Sequence, residues 1–187
     1  MLLRLLQKVR LQIGQLIGLV VMALSAMTAH AQSANSMAEY RVKAAYIYNF
    51  AKYVDWPVLE SKEFHVCSAG RDDLGGALFA LDRRFAQGRE IQVKQNVPPD
   101  QLKECQIIFV GDREGKLLAS VVKQFLGIPV LIVSDYQQAV EVGAHIGLAS
   151  ADDRVEFDVN LTNLQRANLK ASSQMLKLAR SAKPLKP

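Results

Sequence analysis

The runs Ile107-Ile108-Phe109-Val110 and Val130-Leu131-Ile132-Val133 decide the fold class of this chain. Neither run alternates apolar with polar residues. A strand that is covered on both faces has such a continuous apolar sequence, and strands of this kind occur in parallel sheets flanked by helices. We therefore predict that 107–111 and 130–134 form central strands of a parallel sheet.

The rest of the chain supplies the other parts of an α/β domain. Val155, Phe157 and Val159 alternate with Glu156 and Asp158, which predicts a strand with one exposed face, paired with 145–149 as an antiparallel hairpin. The complete prediction has six strands, at Phe64–Ala69, Ile91–Lys94, Ile107–Gly111, Val130–Ser134, His145–Ala149 and Val155–Val159. Helices are predicted at Leu74–Phe85 and Lys116–Phe125. A final helical stretch is capped by Asn160, breaks near Ala171-Ser172 and ends near Ala179.

A first helix is predicted from Ser36, because Ser36 and Glu39 have the spacing of a capping box. Pro57 ends it, since proline disfavours helical geometry at the residue before it. The residues expected on its apolar stripe are Val42, Tyr46, Asn49, Phe50, Tyr53 and Val54, with Glu39 and Lys43 on another face. The aromatic side chains indicate either a core-facing stripe or a ligand-binding cluster.

These elements predict a single α/β domain of three layers, with a mostly parallel sheet, a mixed or antiparallel edge and flanking helices. No internal repeat, low-complexity stretch or long linker divides the chain. We expect one domain over residues 32–187.

Residues 1–31 have the layout of a secretory signal peptide. Basic residues precede the apolar run 16–27, and Ala29-His30-Ala31 places small residues at both recognition positions of a cleavage site. A retained membrane anchor is the alternative, but polar residues and glycine at 12–15 shorten the run below the roughly 20 residues that a span needs. We expect cleavage after Ala31 and localisation in the bacterial periplasm. Gln32, where a lipoprotein would have cysteine, indicates that no lipid is attached.

The charge balance gives no indication of a nucleic-acid partner. The chain has 23 Lys and Arg against 18 Asp and Glu, and removal of Arg4, Lys8 and Arg10 with the signal leaves 20 against 18, a net charge of +2. Nucleic-acid binding requires a concentrated basic surface, because neutralisation of phosphates supplies much of the affinity. The short basic groups in this sequence do not form one.

Cys67 and Cys105 are the only cysteines, and an even number in an exported protein predicts a disulfide. Closing a loop of this length stabilises the fold by roughly 4 kcal/mol in the chain-entropy model. Two buried free thiols are the alternative. His65 lies near Cys67, but one histidine and two cysteines do not complete a zinc site.

The sequence lacks recognisable catalytic motifs. Segment 111–116 resembles a phosphate-binding loop, but it has three residues between its glycines instead of four, and Leu117 follows the lysine. His65 and His145 have no nucleophile motif beside them. The acidic residues from Asp152 to Asp158 lack the order of a calcium loop. We expect neither an enzyme nor a bound cofactor or metal.

The chain resembles the YfiR family over almost its whole length after the signal. The resemblance is carried by these segments in their order: 39–57 (EYRVKAAYIYNFAKYVDWP), Cys67, 104–111 (ECQIIFVG), 129–131 with Ser134, 143–148, 157–161 (FDVNL) and 173–179. It implies a periplasmic α/β protein, often a homodimer, with a disulfide at Cys67 and Cys105. The name-giving member has a second cysteine pair near the positions of Val140 and Gly147, and this chain does not.

The resemblance also implies a function. Such a protein binds the periplasmic sensor region of an inner-membrane diguanylate cyclase or related sensor, represses it, and so lowers cyclic di-GMP and biofilm formation, and a cell-envelope lipoprotein relieves the repression. By resemblance the partner-binding residues are Ile146, Asp158, Arg166 and Lys170. An exposed apolar residue ringed by charges, as expected of Ile146, suits an interface.

The alternative function is a periplasmic small-molecule-binding sensor or carrier. It is motivated by Tyr46, Tyr53 and Trp56, which lie close together in sequence next to a predicted turn.

Overall fold

The computed structural model describes residues 36–57, 61–71, 74–151 and 154–184. The predicted signal peptide, 1–31, lies outside these residues. Contacts divide the chain into one unit of Met1–Ala38 and another of Glu39–Pro187. Only residues 36–38 of the first unit are described, and they are helical. The folded body described below belongs to the second unit.

The second unit is built from alternating strands and helices. In chain order they are α1 (36–53, including the last residues of the first unit), β1 (Val54–Asp55), β2 (Glu63–Ala69), a 3-10 helix (Ala77–Leu81), β3 (Phe85–Ala86), β4 (Arg89–Val97), a second 3-10 helix (Pro99–Glu104), β5 (Ile107–Val110), α2 (Gly115–Gln124), β6 (Leu131–Ser134), α3 (Ala139–Val142), β7 (Ile146–Ala151), β8 (Arg154–Asn160), α4 (Leu161–Arg166), β9 (Lys170–Ala171), α5 (Ser173–Leu178) and β10 (Ser181–Lys183).

Eight strands form one mixed sheet in the order β10-β8-β7-β6-β5-β2-β4-β3. Strands β7, β6, β5, β2 and β4 are parallel to one another. At the two ends of this parallel part, β8 pairs antiparallel with β7 and β3 pairs antiparallel with β4. The predicted central strands are confirmed, because β5 and β6 lie side by side in the middle and every residue in both is buried. The predicted antiparallel hairpin at the edge is confirmed as well.

Alternate residues of the central strands enter two separate apolar clusters, one on each face of the sheet. Ile107 and Phe109 join residues of α1, α4 and α5 on one face. Ile108 and Val110 join residues of α2, α3 and the disulfide on the other. This arrangement confirms the predicted α/β domain with helices on both faces of a mostly parallel sheet.

The first helix is described from Ser36 onward, as predicted, but the face that it buries differs from the prediction. The buried positions are Lys43, Ala44, Ile47, Phe50, Ala51 and Val54, whereas Val42 and Tyr53 are 43% and 39% exposed. Phe50 and Val54 of the predicted stripe are thus buried, but the rest of the buried face lies to one side of that stripe.

The predicted helix at Leu74–Phe85 is wrong. The segment contains only the 3-10 helix Ala77–Leu81 and then turns into β3. Gly75, Gly76 and Arg83 all have positive φ, which interrupts helical geometry on both sides of the short turn. The C-terminal strand β10 was also not predicted; it extends the sheet by pairing parallel with β8.

Among the described residues, no helix combines the length and the apolar character required to cross a bilayer.

Candidate partner-binding surface

The four predicted partner-binding residues lie on the hairpin β7–β8, on α4 and on β9. Side-chain amides hold these elements together. Asn160 ends β8, and its Oδ1 accepts a hydrogen bond of 3.0 Å from the backbone N–H of Asn163, which confirms the predicted cap of α4. The Nδ2 group of Asn163 donates in turn to the carbonyl oxygen of Gly143, at 2.7 Å. The start of α4 is thus fixed to the end of α3.

The expectation that Ile146 is exposed is wrong. Its side chain is fully buried in the apolar cluster beneath α1. The hairpin register explains this, because Ile146 pairs with Val159 and paired residues of two strands share a face. Asp158 precedes Val159 on β8, so its side chain points to the opposite face of the sheet. Ile146 therefore supports the hairpin from inside the core and presents no surface to a partner.

Asp158 is held by an ion pair within the chain. Arg180 donates from Nε to Oδ1 of Asp158 at 3.1 Å and from Nη2 to Oδ2, a two-point contact between guanidinium and carboxylate. Glu156 lies near the same guanidinium, with Nη1 and Oε2 3.7 Å apart. Asp158 keeps the pKa of Arg180 above its usual range. This contact ties the segment before β10 to the outer face of β8.

Arg166 and Lys170 are exposed, on α4 and β9 respectively. Within the described parts of the chain, neither side chain has an ion-pair partner. Lys170 belongs to a separate two-stranded sheet, where its backbone pairs with Asp55. Helix α4 packs next to both β9 and β10. We refer to Asp158, Arg166, Lys170 and Arg180 as the C-terminal surface.

Arg180 was not identified as a site residue from the sequence. It lies 22 residues from Asp158, just beyond the predicted final helical stretch, so neither periodicity nor local spacing connects the two. The only sequence signal was the excess of negative charge on the outer face of β8, which favours a cation nearby.

The predicted disulfide is present. Cys67 on β2 is bonded to Cys105, directly before β5, and their Cα atoms are 6.0 Å apart. Both residues are buried in the cluster on the α2 side of the sheet. The bond therefore links two neighbouring parallel strands inside the core.

The two histidines of the described residues take part in structural hydrogen bonds. Nδ1 of His65 donates to the carbonyl oxygen of Glu104 at 3.0 Å, and its Nε2 lies 3.2 Å from a carboxylate oxygen of Glu63. Nδ1 of His145 accepts from the backbone N–H of Ile132 at 2.9 Å. Burial lowers the pKa of His145 to about 4, and a hydrogen bond to the backbone of Asn163 opposes this only in part. His145 is thus a neutral core residue.

In the described part of the chain, no three residues among His, Cys, Asp and Glu are grouped as a metal site would require. The segment that resembled a phosphate-binding loop forms a turn between β5 and α2. Gly115 there faces the ring of Tyr136, so that an added Cβ would lie 3.0 Å from it. The aromatic side chain occupies the space beside the start of the helix.

Tyr46, Tyr53 and Trp56, the residues that motivated a small-molecule site, do not share one cavity. Tyr46 and Tyr53 border a groove of about 130 Å³ between α1 and α5. Trp56 instead lines two larger cavities, of about 490 and 470 Å³. Its ring meets Phe64 edge to face, with centroids 5.1 Å apart.

A comparison with known protein families shows to which family the chain is related. A family model described as YfiR/HmsC-like matches residues 40–180. The match begins in α1 and ends at Arg180, and it therefore includes every strand of the sheet except β10, the buried residues of both core clusters, the disulfide and the C-terminal surface. This extent confirms the resemblance inferred from the sequence. The chain belongs to the YfiR/HmsC-like family.

Proposed function

We propose that this protein is a periplasmic regulator that binds the periplasmic sensor region of an inner-membrane diguanylate cyclase and represses it, which lowers cyclic di-GMP and biofilm formation. The observation that carries the proposal is the family match over residues 40–180. Family membership suggests regulation of diguanylate cyclase signalling from the periplasm. The predicted signal peptide over residues 1–31 and the disulfide between Cys67 and Cys105 are consistent with export.

A repressor of this kind needs greater affinity for the inactive state of its partner than for the active one. It needs no reactive side chain. The ring nitrogens of His65 and His145 are engaged in structural hydrogen bonds, and Cys67 and Cys105 are bonded to each other. These observations favour a binding protein over an enzyme.

We propose the C-terminal surface as the contact region. Arg166 and Lys170 are exposed cations without an ion-pair partner in the described structure, so they are available to pair with acidic groups of a partner. Asp158 contributes differently from what the sequence suggested, because Arg180 neutralises it. Its role in the proposal is to hold β10 in place at the edge of the contact region.

The proposal is tested by affinity capture from cross-linked cell envelopes with the full chain expressed from its own signal. The variant carries Arg166→Glu and Lys170→Glu together. The control carries Lys116→Glu and Lys123→Glu, which make the same charge change on the exposed face of α2. We expect wild type and control to retain a membrane-bound diguanylate cyclase and the variant to lose it.

Equal capture by variant and control would refute the contact region. Failure of the wild-type chain to retain any membrane signalling enzyme would refute the function itself. The same experiment also detects a cell-envelope lipoprotein and a second copy of this chain, the other partners that the family resemblance suggests.

A small-molecule sensor or carrier is the second candidate function. The observation that favours it is the pair of cavities lined by Trp56.

A further inference from the structure

A cavity of about 490 Å³ opens where β2, β5 and β6 begin. Its volume lies within the range of about 300–1,000 Å³ that is typical of small-molecule sites. Its walls combine an aromatic ring, Trp56, with the apolar turn Ile128-Pro129 and with the polar residues Lys103 and Gln106. Through Trp56 the cavity adjoins a second one, which Lys170 lines.

Four hydrogen-bond acceptors around this cavity are already engaged. The carbonyl oxygen of Glu104 accepts from Nδ1 of His65 at 3.0 Å and from Nε2 of Gln106 at 3.3 Å. Oε1 of Gln106 accepts from the backbone N–H of His65 at 2.6 Å. The carboxylate of Glu104 pairs with Lys94 at 3.1 Å, and the carbonyl oxygen of Ser61 accepts from Arg89 at 2.8 Å.

Two residues in the wall of the cavity have a donor without an acceptor, one buried and one exposed. Nε1 of Trp56 is buried and has no hydrogen-bond partner among the described residues. A buried donor without an acceptor costs about 1–3 kcal/mol, so native structures rarely retain one without a reason. The ammonium group of Lys103 likewise has no hydrogen bond or ion pair in the described parts of the chain. The cavity therefore has one accessible free donor, the positively charged ammonium group of Lys103, beside an apolar wall.

We propose that this cavity binds a small organic anion, a carboxylate with an apolar body. The carboxylate would accept from the ammonium group of Lys103, and the apolar body would lie against Trp56, Ile128 and Pro129. The inference rests on the second candidate function, and it is independent of the C-terminal surface.

The sequence provides a direct reporter, because Trp56 is the only tryptophan of the chain. Its fluorescence therefore reports on ligand entry without a label. The probes are hexanoate and phenylacetate, with 1-hexanol and 2-phenylethanol as neutral molecules of similar size and shape. We expect the carboxylates to change the emission with a Kd in about the millimolar range and the alcohols to bind at least about tenfold more weakly.

Variants separate the two cavities that share Trp56. Lys103→Met keeps the aliphatic chain and removes the charge at the proposed cavity, and we expect it to weaken hexanoate binding at least about tenfold. The matched control is Lys170→Met, which makes the same change at the neighbouring cavity and should leave binding unchanged. A rise in melting temperature with hexanoate, present in wild type and absent in Lys103→Met, provides a second readout.

Three results would overturn the inference: no emission change with either carboxylate, equal binding of carboxylates and alcohols, or loss of binding in Lys170→Met with retention in Lys103→Met. None of them affects the proposed regulation, since envelope capture measures that separately. Conversely, loss of capture in the Arg166 and Lys170 double variant says nothing about binding of hexanoate.

Discussion

Nζ of Lys43 lies 2.7 Å from Oδ2 of Asp135, and both side chains are almost completely buried, 92 residues apart in sequence. The same ammonium lies 2.7 Å from Oε1 of Glu39, which also accepts a hydrogen bond from the hydroxyl of Ser150. Burial acts to lower the pKa of Lys43, but the hydrogen bonds with Asp135 and Glu39 outweigh it and raise the pKa. This network fastens α1 to the end of β6 and to the hairpin.

Removing one member of this buried pair should strongly destabilise the fold. We expect Lys43→Met to lower the free energy of unfolding by about 3–5 kcal/mol, because it leaves the carboxylate of Asp135 buried without a cation. Urea unfolding measures the change. The control is Lys94→Met, which removes a pair with Glu104 that is largely exposed and should cost less than about 1 kcal/mol. Similar losses in both variants would contradict the assigned role of the buried pair.

Ile146 should affect stability and not partner recognition directly. Since its side chain is fully buried, we expect Ile146→Ala to lower the free energy of unfolding by about 2–5 kcal/mol. The exposed substitution Arg166→Glu should change it by only about 0.5 kcal/mol. Denaturant titration measures the free energy of unfolding of both variants. A fully stable Ile146→Ala protein that fails to capture the partner would show that the residue reaches the surface after all.

The disulfide should contribute several kcal/mol. The bonded cysteines are 38 residues apart, and the chain-entropy model gives about 4 kcal/mol for a loop of this size. We expect Cys67→Ala with Cys105→Ala to show a loss of this order in urea unfolding. Mass analysis of periplasmic protein under non-reducing conditions should show the linkage in the wild type. Two alkylatable thiols in that sample would contradict both the bond and the compartment.

His145 should make stability fall at mildly acidic pH. Its pKa is about 4 in the folded protein against 6.5 for a free side chain, so the unfolded chain binds a proton first as the pH drops. The neutral ring makes its full contribution to the stability of the fold above pH 6.5, and this contribution is lost as the pH falls towards 4. The loss from this group is about 1.4 kcal/mol per pH unit, or about 2 kcal/mol at about pH 5.

His145→Asn is the variant that isolates this effect. Its side-chain oxygen can accept from the backbone N–H of Ile132 as Nδ1 does, and it does not titrate. We expect the wild type to lose about 2 kcal/mol more than the variant between about pH 7 and about pH 5 in urea unfolding. Parallel pH profiles for the two proteins would rule out the assigned cause.

The central part of the fold was predictable because its signals are local. Ile107–Val110 and Leu131–Ser134 are apolar at every position or nearly so, and that pattern alone indicates a strand covered on both faces. The alternation of Val155, Phe157 and Val159 correctly predicted the edge hairpin. Asn160 was recognised as a helix cap for the same reason, since its partner is only three residues away.

The parts that were missed depend on distant partners. Lys43 was placed off the apolar stripe, because its buried acceptor, Asp135, cannot be identified from local sequence. Ile146 was expected at the surface from the family resemblance alone. Its burial follows from its pairing with Val159, a register that depends on the turn of the hairpin. Strand β10 has no alternating pattern of its own and is held through the contact of Arg180 with Asp158.

The central claim is that this chain represses a diguanylate cyclase from the periplasm, and the intracellular concentration of cyclic di-GMP tests it most directly. We predict that deletion of the gene raises this concentration, that the wild-type gene restores it, and that the variant with Arg166→Glu and Lys170→Glu does not, although it accumulates to the same level. An unchanged cyclic di-GMP concentration in the deletion strain would contradict the account.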